Sequence, residues 1–266
     1  MINARAVWRA LLLAGRFLTR WPLPDPGMPS PAELGPEMGR AALFYPLVGL
    51  LLGTALAGLA LLLEHAPTLA AAAVLLIFWV WSTGALHLDG LADCADAWVG
   101  GLGSRERTLE ILKDPRTGAM GVVTLVLALL GKFAGSAALL EGAGIGALLL
   151  LVWLPALARA QLLLLALTTP YARSDGMGAA MRLHLHRPAA WLLVVLSWSI
   201  AALLAVIAFG PSGLWLPLLA LAVYRIWRRS LLGRLGGYTG DGAGALVELT
   251  ETLLLLCAAL LSAAAP

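Results

Sequence analysis

A chain of 266 residues that is 61% hydrophobic and 12% charged, with a formal net charge of +3, has the composition of an integral membrane protein and not that of a soluble domain or a disordered segment. Its mean hydropathy of +0.89 agrees. Two cysteines, Cys94 and Cys257, are too few for a disulfide scaffold, and the expected topology sets them near opposite membrane faces.

Residues 1–20 read as an amphipathic interfacial helix. At about 100° per residue, Arg5, Arg9, Arg16 and Arg20 fall within roughly 60° of one another, with Trp8, Leu11, Phe17 and Leu18 elsewhere on the wheel. The apolar run from Ala10 to Gly15 is too short for the core of a signal peptide, so no cleaved leader is expected. Residues 21–39, rich in Pro and Gly, read as a linker. Hydropathy windows of about 19 residues then mark seven spans, at 41–63, 66–86, 118–140, 146–168, 189–209, 211–224 and 243–263. Long apolar runs without β alternation must satisfy their backbone internally. Residues 41–266 are therefore expected to be a helical bundle, and the chain a single all-α, polytopic membrane domain. Gly49 and Gly53, four apart in the first span, favour close helix packing.

After the second span, the stretch His87–Val99 carries Asp89, Asp93 and Asp96. On a helix all three share a face, and clustered carboxylates repel unless a cation sits among them; Mg²⁺ or Mn²⁺ is the expected ion. A solvated loop is the alternative, but Leu86, Leu88, Leu91, Ala92 and Trp98 fit it poorly. Cys94 reads as a small filler. Arg105, Glu106 and Arg107 suit a water-facing amphipathic helix. Lys113 and Arg116, just before the third span, are expected to face the Asp89 cluster and meet phosphate oxygens.

Lys132 and Arg159 fall inside spans. In the loop Pro170–Gly178, Arg173 is the candidate phosphate contact. His184 and His186 are two apart with no third ligand nearby, which argues against zinc. The glycine-rich run from Gly236 to Gly244 opens a helix, so Gly237, Thr239 and Gly240 could cradle an anion at its N-terminus, although no P-loop motif is present. Asp241 and Glu248, seven apart, share a face; acids at the start of a span are costly unless they line a site. Every Lys and Arg other than Lys132 and Arg159 lies in 1–40, 87–117, 169–188 or 225–242, which seven spans place on one side. The positive-inside rule makes that side cytoplasmic and the C-terminus external. These residues describe a membrane enzyme with a divalent metal and a phosphorylated substrate, without naming the substrate.

The run Ser82–Asp93, followed by Glu110–Asp114 with Arg116, Gly118 and Gly121, resembles the cobalamin synthase family, the adenosylcobinamide-GDP ribazoletransferases. Further resemblance lies in Arg16–Arg20, Gly39–Ala41, Phe44–Gly49, Ala158–Ala160, Tyr171–Arg173, and Gly236–Asp241 with Glu248. The chain departs from the family pattern at Cys94, where a small or hydroxyl residue is usual, and at Pro115, where Ser is usual. The resemblance implies transfer of the phosphocobinamide moiety of adenosylcobinamide-GDP to α-ribazole or its 5′-phosphate, with release of GMP. It implies Mg²⁺, with Mn²⁺ as the alternative, on Asp89, Asp93 and Asp96. Lys113, Arg116 or Arg173 would steady the charge on GMP, and Asp96, Asp241 or Glu248 would orient or deprotonate the attacking hydroxyl. The implied setting is the bacterial inner membrane, with the site facing the cytoplasm. Partners would be the two substrates and membrane lipid, then a second copy or other cobalamin-assembly enzymes, and no nucleic acid. A CDP-alcohol phosphotransferase shares the opening Asp-Gly, but its motif requires Arg at the position of Asp93. A cation transporter would hold its ligands nearer the bilayer midplane.

The topology makes a direct prediction. In a variant lacking Cys94 and Cys257, single cysteines at Ser104, Ser174 and Ser230 should resist an impermeant thiol reagent in intact cells. Labelling of any one overturns the orientation.

Overall fold

A computed structural model describes residues 4–27, 29–142, 144–173 and 177–263. Residues 1–3 of the expected interfacial helix, and Ser174 to Gly176 of the expected phosphate loop, lie outside the described residues. The described chain is helical, with one isolated β-bridge between Tyr171 and Tyr238.

Helix α1 (Ala4–Leu18) turns Ala10, Ala14 and Leu18 inward and leaves Trp8 and Phe17 exposed. Part of the expected linker is instead a helix, α2 (Pro31–Ala42). Its start has the residues such a start needs. Ser30 precedes Pro31, and Glu33 reaches back to the Ser30 backbone N–H at 3.1 Å. The glycines that suggested a loop are there for packing: a Cβ at Gly39 would lie 2.5 Å from the carbonyl oxygen of His184. The face of α1 that carries Arg9 meets this helix, with Arg9 2.9 Å from Glu37.

Helices α3 (Tyr45–Leu62) and α4 (Thr68–Thr83) follow, then α5 (Leu86–Gly100), which departs from the α4 axis by 86°. Gly84 and Ala85 make the corner, both left-handed with φ of 59° and 56°. Glycine adopts that conformation freely, whereas Ala85 costs about 1 kcal/mol there. A short α6 (Arg105–Ile111) leads to α7 (Ala119–Gly142) and α8 (Gly144–Thr168), then α9 (Met177–His184) and α10 (Arg187–Phe209). A 3₁₀ turn at Gly210–Leu214 reverses the chain into α11 (Trp215–Leu235), and α12 (Gly240–Ala263) ends it.

Among the described residues, five segments are long and apolar enough to cross a membrane, six if the bent pair α4–α5 is one span. The seven separate spans expected are corrected at two places. The stretch expected at 66–86 ends at Thr83 and reaches spanning length only together with α5. The stretch expected at 211–224 begins with the 3₁₀ turn, and its helix runs on to Leu235. Residues Arg187–Leu235 form one 49-residue apolar segment by length, yet it doubles back. Arg187 donates to the Leu167 carbonyl at 2.9 Å and Arg228 to that of Thr168 at 2.7 Å, so both ends return to the C-terminal end of α8.

Helix α8 is the central post, with α3 and α10 packed along it. Gly49 and Gly53 let α3 reach its backbone, since a Cβ at Gly49 would sit 2.7 Å from the Pro155 carbonyl carbon and 2.8 Å from Ala156 Cα. Pro155 lacks the N–H that would pair with Leu151, and Gly53 packs over that turn. Gly53→Val should therefore cost about 1–3 kcal/mol through overpacking, read as a lowered melting temperature in detergent. Gly58→Ala, whose added Cβ meets nothing within 4 Å, should not lower it.

Candidate active site

The site forms where α5 and α12 touch. Gly90 permits the contact: a Cβ there would lie 2.7 Å from the Asp241 carbonyl oxygen and 2.9 Å from its Cα. One turn along, Gly244 lies against His87. Asp89, in the first turn of α5, and Asp241, in the first turn of α12, thus line one cavity of about 380 Å³, although far apart in sequence. Asp93, half-buried, has Asp89, Asp241 and Asp96 as charged neighbours.

The glycine run serves the architecture more than the expected cradle. Gly236 ends α11 in a left-handed turn with φ of 69°. Gly237 lies against Pro170, where Tyr238 N–H donates to the Pro170 carbonyl at 2.9 Å and Ala172 N–H to that of Tyr238 at 2.8 Å. Thr239 is fully buried, and its hydroxyl accepts from Gly242 N–H at 3.1 Å, capping α12. Of the three expected anion contacts, only Gly240 lines the cavity.

The paired backbones carry Arg173 to the same opening. Its Nη2 is 3.7 Å from Asp241 Oδ2, close enough for attraction but not for a hydrogen bond. Both Nε and Nη2 are buried without a hydrogen-bond partner among the described residues. Arg105 braces this corner from α6, donating to Leu235 O at 2.9 Å and Ala172 O at 3.1 Å, so it is not simply a water-facing charge.

Other expected site residues lie elsewhere. Asp96 caps α7, accepting from Gly118 N–H at 2.7 Å and Gly121 N–H at 2.9 Å. Asp89 and Asp96 share a face in projection, but seven residues of helix separate them by roughly 10 Å along the axis. Among the described residues, no three His, Cys, Asp or Glu side chains converge at metal-binding separation, so the expected trio of Asp89, Asp93 and Asp96 is not gathered at one point. Lys113 is exposed, and Arg116 is held by Asp114 through contacts of 2.9 and 2.7 Å; neither lines the cavity. That pairing holds the Asp114 carboxyl low, at about 2.

Glu248 is also displaced from its expected role. It lies deeper in the bundle, 2.7 Å from Lys132 Nζ, and Lys132 is 2.6 Å from Glu251. Glu251 also pairs with Arg159, whose Nη2 is 3.5 Å from His87 Nδ1. Lys132 further lies 4.6 Å from the centre of a Trp79 ring. None of the four charged side chains is more than 4% exposed. The two cations inside spans and the two acids below Asp241 neutralise one another. His87 belongs to both regions, touching Arg159 and lining the cavity.

Sequence reasoning passed over the apolar walls. Tyr45, Met181 and Tyr238 line the cavity, with Tyr171 edge-on to Tyr238 at 5.0 Å. Tyr171 and Tyr238 each adjoin a motif already noted, but only the pairing of two remote loops makes them neighbours.

Removing one member of the ion cluster leaves an uncompensated charge in an apolar interior. Lys132→Met should cost about 3–5 kcal/mol, read from thermal denaturation in detergent, and adding Glu248→Gln should recover part of it. Additive losses would show that these charges do not act as a unit.

The family model of cobalamin-5-phosphate synthase matches residues 10–259. An adenosylcobinamide-GDP ribazoletransferase of Pseudomonas paraeruginosa is 54% identical over 257 residues, 96% of this chain and 100% of that protein. Those of Pseudomonas entomophila and Pseudomonas putida are 50% and 51% identical, covering 94% and 93% of this chain and 98% and 97% of theirs. No solved structure matches the chain. A match across nearly its whole length, with Asp89, Arg173 and Asp241 gathered at one cavity, makes this chain a member of the cobalamin-5-phosphate synthase family.

Proposed function

We propose that the protein transfers the phosphocobinamide moiety of adenosylcobinamide-GDP to α-ribazole or its 5′-phosphate. A ribose hydroxyl of the nucleoside attacks the phosphorus bonded to cobinamide. The new P–O bond forms as the bond to GMP breaks, the hydroxyl gives up its proton, and GMP carries away the electron pair. The observation that carries this reading is Arg173, a cation with two buried N–H groups that lack a hydrogen-bond partner among the described residues, beside the acids of a mostly apolar cavity. An unsatisfied guanidinium fork is what a diphosphate oxygen needs, and its full strength is felt when a phosphate arrives.

Asp89 and Asp241 are the acids suited to orient the hydroxyl and take its proton, since both line the cavity. Gly240, at the amide end of α12, lets the backbone approach the leaving phosphate. The donor set also suits Mg²⁺. Two carboxylates with substrate phosphates are a common Mg²⁺ environment, so Asp89 with Asp93 or Asp241 would hold the ion without a third protein ligand. When bound, Mg²⁺ would supply charge neutralisation on the diphosphate. The chain is read as an inner-membrane protein with this cavity open to the cytoplasm, supported by the collection of arginines on that side. Asp96, Lys113 and Glu248 have no part in the proposed chemistry.

The test is GMP release from adenosylcobinamide-GDP by purified protein with α-ribazole and Mg²⁺. Asp89→Asn and Asp241→Asn should each lower kcat by about 10²-fold or more, and the double variant should be little worse than the poorer single one. Arg173→Ala should raise KM for adenosylcobinamide-GDP. Multiplicative losses for the two aspartates would separate Asp241 from the site, and absence of GMP release by the unaltered protein would overturn the reading.

A further inference from the structure

Behind Asp89 and Asp241 the cavity becomes apolar. Its walls are the side chains of Leu18, Met38, Tyr45, Leu163, Met181 and Tyr238, drawn from α1, α2, α3, α8, α9 and the loop before α12. A volume of about 380 Å³ is at the small end of ligand sites, which run from roughly 300 to 1,000 Å³. The corrin macrocycle with its amide arms does not fit such a space. Apart from His87 and the charged Asp89, Arg173 and Asp241, these walls are aliphatic, thioether and phenol, so a guanine seated among them would leave most of its edge donors and acceptors unmatched. A flat, methylated bicyclic base matches both size and polarity.

Besides the Arg173 guanidinium, a second polar group on a lining residue lacks a partner among the described residues. Among the described residues the Tyr238 hydroxyl has no hydrogen-bond partner, and it is buried on a residue only 3% exposed. Burying a hydroxyl unsatisfied is costly, so this group, on a residue that lines the cavity, is suited to meet a ligand acceptor. The side chain is held there firmly. Its backbone bridges Pro170 and Ala172, and its ring packs edge-on against Tyr171 at 5.0 Å. A nucleoside of a benzimidazole-type base has one unsubstituted ring nitrogen, an acceptor with no donor beside it.

Resting on the reaction proposed above, we infer that this cavity seats the base of the nucleoside substrate, with the Tyr238 O–H donating to the free ring nitrogen. The ribose then points out towards Asp89 and Asp241, where its hydroxyl reacts. Adenosylcobinamide-GDP approaches from the open side and presents its diphosphate to Arg173. Met38 and Met181 fit this assignment, since thioethers adapt to ring edges and methyl groups.

The test pairs a protein change with a ligand change. Tyr238→Phe should raise KM for α-ribazole about fivefold to tenfold, as expected for one lost hydrogen bond, without moving KM for adenosylcobinamide-GDP. An α-ribazole analogue whose free ring nitrogen is replaced by C–H should bind the unaltered protein more weakly by a similar factor, and Tyr238→Phe should weaken that analogue no further. Titration calorimetry with α-ribazole alone gives the same comparison without turnover. Met181→Trp, which fills the cavity from a half-buried wall, should weaken the dimethylated nucleoside more than its unmethylated counterpart. Equal losses for both ring types, or an altered KM for adenosylcobinamide-GDP alone, would overturn the base assignment while leaving the reaction intact. Failure of the unaltered protein to bind α-ribazole would overturn this inference, and failure to release GMP would overturn the reaction itself.

Discussion

Four charges buried in an apolar bundle constrain the rest of the structure. Lys132 on α7, Arg159 on α8, and Glu248 and Glu251 on α12 have no water to turn to, so the three helices must hold the one register in which these side chains meet. That register has a consequence at the membrane edge. Asp241 lies ten residues above Glu251 on the same helix, so fixing one end of α12 fixes where the other end meets α5. Gly90 and Gly244 then allow the two backbones to approach until the acids of both helices border one cavity.

The site is assembled from parts that differ in stiffness. Asp89 and Asp241 stand on helices anchored in the core. Arg173 is on a loop, but the loop is fastened by the Tyr171–Tyr238 bridge, by Arg105 from α6, and by Arg182 donating to the Ala166 and Thr169 carbonyls. Phe17 and Leu18 close one side from α1, whose end is tied to α4 by the Arg20 N–H bond to Ser82 O at 2.8 Å. The acids of the cavity sit on the firm elements, and the proposed phosphate contact sits on a braced loop.

Much of this was legible in the sequence because composition and period carry it. Apolar runs gave the long helices, and the scarcity of charge pointed to Asp89, Arg173 and Asp241. What escaped were features that depend on distance across the fold. The face shared by Asp89, Asp93 and Asp96 is real in projection, but projection hides the rise along the axis, and Asp96 serves α7 instead. Glu248 was visible as a costly acid, yet its partner Lys132 lies more than a hundred residues away. Helix α2 was read as a linker because Gly35, Pro36 and Gly39 look like breakers, although those glycines are where α9 packs. The buried Tyr238 hydroxyl has no sequence signature at all.

The corner at Gly84 and Ala85 bears on how the chain enters its membrane. Helix α4 carries no charged residue, whereas α5 carries three aspartates, and the 86° turn keeps the second from continuing along the path of the first. An aspartate at the centre of an inserted helix is disfavoured by about 2.5–3.5 kcal/mol on insertion scales. Two left-handed residues therefore turn three acids off the axis of the apolar helix that precedes them, for a conformational cost of about 1 kcal/mol at Ala85.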